Sequence, residues 1–397
     1  MKRPRFSRRT AWDLRPNAHA TGAAEARAHA DGLVDLTESN PTRVGLGVGA
    51  ELVALLGDAR GTAYDPSPFG GADARAEVAR YYAAKGVTAP VERIALSAST
   101  SESYAWLFKL LCDPGDRVLV PRPSYPLLAL LADLEVVDLA HYDLVESRGF
   151  AIDLDGIADA IDARTRAVVL VSPNNPTGTF VKRAEADALA ALCADRGVAL
   201  VVDEVFGDYA HAPLDAASRA TFAGEARALT FTLSGLSKVV AMPQGKLGWI
   251  VASGPDGLVD EAVARLEVIA DTYLSVATGV QLALPGLLAA RAEVQAKILT
   301  RVRENLAALD AALVGSGGAR HPIEAGWYAV LVPPDGGRDD DAWSAKLMRE
   351  ARALVQPGYF FDFVEGTRLV VSLLPPEDAF APAARAIAAA FRAVSGG

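Results

Sequence analysis

Between residues 90 and 255, short β-branched runs alternate with stretches of helical period, and this rhythm constrains the chain more than any other feature. Alternating strand and helix predicts a mostly parallel sheet joined by crossover helices. The predicted strands are 93–97, 117–121, 136–141, 167–172, 199–203, 229–233 and 249–252. Several are apolar at successive positions, as required when helices cover both faces of a sheet. The stretch 72–85 sets Val78, Tyr81 and Tyr82 on one side and stops at Gly86; the stretch 182–196 buries Leu189, Leu192 and Cys193 and stops at Gly197. Both stops place glycine where a left-handed residue is wanted.

After about residue 256 the pattern changes to long helical stretches, 255–270 and 276–313. A turn-rich segment, a strand at 327–332, a helix at 341–354, a strand at 368–373 and a helix from Pro376 come next, which predicts a second, α+β domain. A length of 397 residues with 51% apolar content suits two domains and excludes disorder over most of the chain.

The net charge of -10 is spread along the chain, so nothing invites a nucleic acid, and a small substrate is expected. The basic cluster Lys2, Arg3, Arg5, Arg8 and Arg9 precedes no apolar run, because Asp13, Arg15, Asn17, Glu25 and Arg27 interrupt the residues after it. A solvated, partly mobile tail is expected there, not an export signal. The longest apolar stretch, around 280–290, is too short to span a bilayer and contains Pro285. Cys112 and Cys193 each fall in an apolar helical pattern, as buried thiols of a reducing compartment would, so the cytoplasm is the expected location. The five histidines show no ligand spacing, and no metal is expected.

Four segments carry chemical information, and each also has an ordinary explanation. The strand 167–172 runs into Pro173, Asn174, Asn175, Pro176, Thr177 and Gly178, a turn at the strand end where open α/β sheets bind ligands. Turn composition alone accounts for it equally well. The strand 199–202 ends in Asp203 and Glu204 at the same edge. A partly desolvated aspartate there needs a cationic partner, such as a protonated pyridine nitrogen, unless it is a helix cap. The strand 229–233 leads into Ser234, Gly235, Leu236, Ser237 and Lys238, where a desolvated lysine can act as an imine-forming amine; lone lysines after strands are more often surface residues. Finally, 95–103 turns strand into helix through Ser97, Ala98, Ser99, Thr100 and Ser101, which is either an anion site at a helix N-terminus or plain capping.

Taken in order, these segments resemble the class I/II aminotransferases, the aspartate aminotransferase-like enzymes of fold type I. The run 234–238 through Gly245, Lys246, Leu247, Gly248 and Trp249 is similar to their cofactor-lysine motif. Asn175, Pro176, Thr177 and Gly178 match their Asn-Pro-Thr-Gly turn, with Asp203 at the right interval. Tyr64, Gly70 with Gly71, the turn 113–116, Pro123, Ser124, Tyr125 with Pro126, and Arg368 also agree in order, so the resemblance covers essentially the whole chain. It implies a three-layer α/β fold: a large domain, 61–275, with a mostly parallel seven-stranded sheet, and a smaller α+β domain formed by the N-terminal segment 1–60 and the C-terminal segment, with 276–397 supplying an interdomain helix and the C-terminal part.

The resemblance also implies roles. Lys238 would hold pyridoxal 5′-phosphate as a Schiff base and shuttle the proton, and Asp203 would keep the pyridine nitrogen protonated. Asn175 would hydrogen-bond the phenolic oxygen, and Tyr125 would stack on the ring. The phosphate would take the amides of Ser99 and Thr100, Ser234 or Ser237, Lys246, and Tyr64 of the partner subunit, which implies a homodimer with shared sites. Arg368 would clamp the substrate carboxylate, with Ser39 and Asn40 in a substrate-contacting N-terminal segment.

Three departures bear on function. Lys246 stands where the family usually has arginine, keeping the charge but losing the fork. Phe206 replaces a tyrosine that donates to the phenolic oxygen, which leaves Asn175 as the obvious donor. The segment 269–273 lacks the partner arginine of dicarboxylate-specific members, and Arg265 falls too early. The expected activity is therefore ping-pong transamination between a neutral or aromatic L-amino acid and a 2-oxo acid. A pyridoxal-phosphate lyase or other amino-acid-modifying enzyme is the alternative, since the same carbanion can eliminate a β-substituent. A ligand-sensing regulator is disfavoured, because only about 30 residues precede the resemblance, too few for a stable DNA-binding domain.

Overall fold

The computed structural model describes residues 5–29 and 32–395, so Lys2 and Arg3 of the basic cluster lie outside it. The alternating apolar runs form one eight-stranded sheet. Its strands are Ile94–Ser97 (β1), Arg117–Arg122 (β2), Asp138–Val145 (β3), Ala151–Ile152 (β4), Thr165–Val171 (β5), Ala199–Asp203 (β6), Thr230–Gly235 (β7) and Gly248–Ser253 (β8). The spatial order is β1-β8-β7-β6-β5-β2-β3-β4. From β7 across to β3 every neighbouring pair is parallel, while β8 runs antiparallel to both β7 and β1. All seven predicted strands are present; β4, two residues long, pairs antiparallel with β3 and is too short to leave a periodic signal.

Side-chain alternation explains the three layers. Along β5, Ala167 and Val169 pack with the helices Thr100–Leu111 and Asp256–Tyr273, while Val168 and Leu170 pack with Arg183–Arg196 on the other face. After β2 the chain moves outward to β3, and after β5 it moves the opposite way to β6 and β7. That reversal opens a crevice at the carboxyl ends of β2 and β5, the usual ligand position of such sheets.

A second core gathers on a four-stranded antiparallel sheet of Ala319–Arg320 (β9), Tyr328–Val332 (β10), Gln356–Pro357 (β11) and Leu369–Ser372 (β12), in the order β9-β10-β12-β11. The helices Arg291–Leu313 and Glu377–Ser395 cover it. The N-terminal segment joins this core through Leu36 and Leu46, and Val34–Asp35 pairs in parallel with Ala353–Leu354.

Two elements differ from expectation for packing reasons. The stretch 276–313 is two helices, Thr278–Ala289 and Arg291–Leu313, because the first buries Val280, Leu284 and Leu287 near the large sheet while the second buries Ile298, Val302 and Leu309 in the other core. The helix predicted to reach residue 354 stops at Ala351, since Ala353 and Leu354 are taken by the pairing with Val34 and Asp35. The basic tail is exposed yet attached: Arg9 donates to the Leu134 carbonyl at 3.0 Å, and Trp12 Nε1 donates to Asp133 at 2.8 Å. Among the described residues, no helix is long and apolar enough to cross a membrane.

Candidate active site

At the crevice lies a cavity of about 190 Å³. Its wall includes Ser39, Ser99, Thr100, Tyr125, Asn175, Asp203, Phe206, Ser237 and Lys238, so residues from five separate strand ends and the N-terminal segment meet there. Lys238 sits on the one-turn helix Leu236–Val239 directly after β7. Its Nζ lies 4.6 Å from the centre of the Trp327 ring and 5.3 Å from that of Phe206. Burial against these rings disfavours the ammonium and lowers its pKa to about 8, although the nearby Asp203 carboxylate opposes the shift.

Asp203 closes β6, and burial pushes its carboxyl up to about 6. Two hydrogen bonds restrain that rise: the Val205 N–H donates to Oδ1 at 3.0 Å, and the Tyr104 hydroxyl donates to Oδ2 at 3.3 Å. A half-buried carboxylate with one weak side-chain partner and a lysine nearby is suited to a cationic ligand atom. Asn175 Oδ1 and Ser124 Oγ also face the cavity, and both are buried without a hydrogen-bond partner. The neighbouring Asn174, by contrast, is spent on its own turn, accepting from Thr177 and donating to the Pro123 carbonyl.

The helix Thr100–Leu111 begins at this wall, with Ser99 as its N-cap and the Ser99 Oγ accepting from Glu102 N at 3.2 Å. Its free amides and dipole favour an anion. Two glycines let the backbone close up here. A Cβ on Gly235 would lie 2.9 Å from Gly248 Cα, and one on Gly248 would lie 3.2 Å from Thr100 N. Larger residues would push β7 and β8 away from the helix N-terminus.

Several expected site residues are not brought to the cavity. Ser234 is buried in β7 with its Oγ unpartnered, and Lys246 is exposed. Tyr64 is 68% exposed. Asn40 lines an adjoining open cleft that shares Ser39, Ser237 and Lys238 with the cavity. Arg368 lies further off, because Ser372 pairs with the cavity residue Tyr328 while Arg368 falls beyond the opposite end of the ladder, past the pair Leu331 and Leu369. Its guanidinium is held by Glu146, with Nε 3.3 Å from Oε2, and donates to the Thr367 carbonyl at 2.8 Å. Tyr104, Trp327 and Tyr328 carry no motif in the sequence that marks them as site residues, and Ser124 enters there only as part of the 123–126 match. Tyr104 lies one helical turn after Thr100, on the same face, which is the only local signal it offers.

The family model for aminotransferases of class I and II matches residues 39–386. The chain belongs to this family. Its aminotransferase members are pyridoxal-phosphate-dependent transaminases. A tyrosine aminotransferase from Bos taurus is 25% identical over 92% of this chain and 87% of its own length. The glutamate-pyruvate aminotransferase AlaA of Escherichia coli K12 is 30% identical, but over 51% of this chain and 49% of its own length. Among solved structures, an alanine aminotransferase from Pyrococcus furiosus superposes with a TM-score of 0.88 over 98% of this chain and all of its own, at 19% identity, which establishes a shared fold. Aminotransferases of this family use pyridoxal 5′-phosphate, and the cavity fits it: an unpartnered Asn175 Oδ1, a glycine-lined helix N-terminus, and a lysine of lowered pKa near a half-buried aspartate.

Proposed function

We propose that this protein transfers an amino group between an L-amino acid and a 2-oxo acid by a ping-pong mechanism, favouring neutral or aromatic side chains over dicarboxylic ones. The observation that carries the reading is the pairing of Lys238 and Asp203 across one aromatic-walled cavity. Bound pyridoxal phosphate supplies an electron sink for a carbanion at the substrate α-carbon.

The chain's own residues do the rest. Lys238, its pKa lowered to about 8 by burial, loses its proton more readily than a free lysine and would bind the cofactor's carbonyl carbon, then carry a proton to and from the substrate α-carbon. Asp203, held by Tyr104 and the Val205 amide, would keep the ring nitrogen protonated. Asn175 would hold the phenolic oxygen, and Tyr125 would cover the ring face. Ser99, Thr100 and Ser237 would receive the phosphate, with Tyr64 of the partner subunit completing it in a cytoplasmic homodimer. Phe206, Tyr328, Leu127 and Leu128 make the wall largely apolar, and this supports the preference for neutral side chains.

The test is a single turnover of the purified holoenzyme with one amino acid and no acceptor, repeated across donors. Release of one equivalent of 2-oxo acid per site without ammonia is the expected result, strongest for aromatic and aliphatic donors. Ammonia release in step with the 2-oxo acid would make the protein a lyase and overturn the proposal.

A further inference from the structure

The helix bearing Lys238 is one turn long, Leu236–Val239, and the Lys238 carbonyl takes only short-range backbone contacts, including one from the Ala241 N–H at 3.2 Å, in place of the partner that a longer helix would provide. Two residues beyond it Ala241 adopts a left-handed backbone, φ 53°, which a non-glycine residue keeps only where its surroundings hold it. Two side chains from outside the helix hold this turn. The Tyr209 hydroxyl donates to the Lys238 carbonyl at 2.6 Å, and Gln295 Nε2 donates to the Val239 carbonyl at 2.8 Å.

Neither contact is incidental packing. The second N–H of Gln295 goes to Asp208 Oδ2 at 2.9 Å, an oxygen that also accepts from the Tyr81 hydroxyl at 3.0 Å. The other oxygen of Asp208 pairs with Lys85 Nζ at 2.7 Å, and the two side chains are 12% and 18% exposed. A buried, neutralised carboxylate thus fixes the Gln295 amide, leaving one orientation in which it reaches Val239. Tyr209 is fixed differently. Its ring is buried 4.9 Å from that of Trp327, the same indole that lies under the Lys238 amine. The hydroxyl is committed to the backbone, so it does not stand in for the phenolic-oxygen donor that Phe206 lacks.

We propose that Tyr209 and Gln295 are positioning residues for Lys238: they clamp its peptide so that the amine projects between the Asp203 carboxylate and the Trp327 ring. The inference rests on the reading of Lys238 as the cofactor lysine. When that amine is released and re-engaged in each turnover, the clamped backbone returns it to one place.

Tyr209→Phe removes one hydroxyl and keeps the ring packing. Two ligands separate positioning from general damage: pyridoxal phosphate, which bonds to Lys238, and 4′-deoxypyridoxine phosphate, which has no carbonyl and binds without that bond. The expected result is a loss of about fivefold in pyridoxal phosphate affinity, the equilibrium worth of one ordinary hydrogen bond, with deoxypyridoxine phosphate affinity unchanged and a fall of only a few degrees in melting temperature. Gln295→Met should act the same way. Equal losses for both ligands, no loss for either, or failure of Tyr209→Phe to fold would each overturn the proposal, assigning these residues to the fold alone. Borohydride trapping on wild-type protein is run alongside. Label on a lysine other than Lys238 there would defeat the functional reading itself, whereas label on Lys238 with an unaffected Tyr209→Phe variant defeats only this inference.

Discussion

Replacing Phe206 with tyrosine tests the site at the position where it departs from its family. Phe206 is 3% exposed, lines the cavity, and lies with its ring centre 5.3 Å from the Lys238 amine. A hydroxyl added to its rim points into the cavity or into the Trp327 and Tyr328 rings, which stand edge-on at 5.2 and 6.3 Å. In the first case it donates to the cofactor's phenolic oxygen and stabilises the deprotonated form of the cofactor–lysine linkage. One hydrogen bond to a charged acceptor is worth about 1.5 kcal/mol, which is about one pKa unit. The linkage pKa should therefore fall by about one unit, since the hydroxyl favours the form with the proton removed. A spectrophotometric pH titration of holoenzyme and variant measures it directly. Coincident curves would show that residue 206 does not face the cofactor, and the assignment of Asp203 to the ring nitrogen would lose its geometric support.

Asp203→Ala should fold and bind pyridoxal phosphate but lose several powers of ten in kcat, about the cost of an unprotonated electron sink; a rate within tenfold of wild type would remove Asp203 from the mechanism. Lys238→Met should raise the thermal stability of the apoprotein, because the folded state lowers the lysine pKa from 10.5 to about 8 and so disfavours the ammonium. The unfolded chain binds the extra proton between those values, so the gap is full below pH 8 and closes toward pH 10.5; melts across that range that show no narrowing would refute the sign. Arg368→Ala should leave the amino-acid KM within a few-fold and cost about 2 kcal/mol of stability through the loss of its charged hydrogen bonds to Glu146. A rise in KM of about a hundredfold, the worth of a lost bidentate carboxylate contact, would show that the guanidinium reaches the substrate in the closed enzyme.

Much of the large sheet was legible because its strands are short, apolar and separated by helices with glycine stops, a pattern that leaves little room for other folds. The chemistry-bearing residues at strand ends, Asn175, Asp203 and Lys238, were legible for the same reason: a polar residue directly after a buried run marks the sheet edge. Tyr104 and Trp327 were not. Each is an aromatic residue inside a helix or at the head of a strand, where sequence alone cannot separate a side chain beside the site from one in the general core: Tyr104 lines the cavity, and Trp327 is a core residue that lies 4.6 Å from the Lys238 amine. Arg368 shows a different limit. Its place in the chain order suits a substrate clamp, but only the ladder pairing of Tyr328 with Ser372 reveals that it lies at the far end of β12. The break at Ala290 is of the same kind, since two continuous helical periods diverge only because their apolar faces serve different cores.

Lys238 is the residue proposed to bond the cofactor. Borohydride reduction of the holoenzyme followed by peptide mapping tests that assignment most directly. The pyridoxyl group should be recovered on the peptide containing Lys238, in one equivalent per chain, and Lys238→Ala should abolish both the label and turnover. Recovery of the label on Lys246, Lys85 or any other lysine would contradict the account.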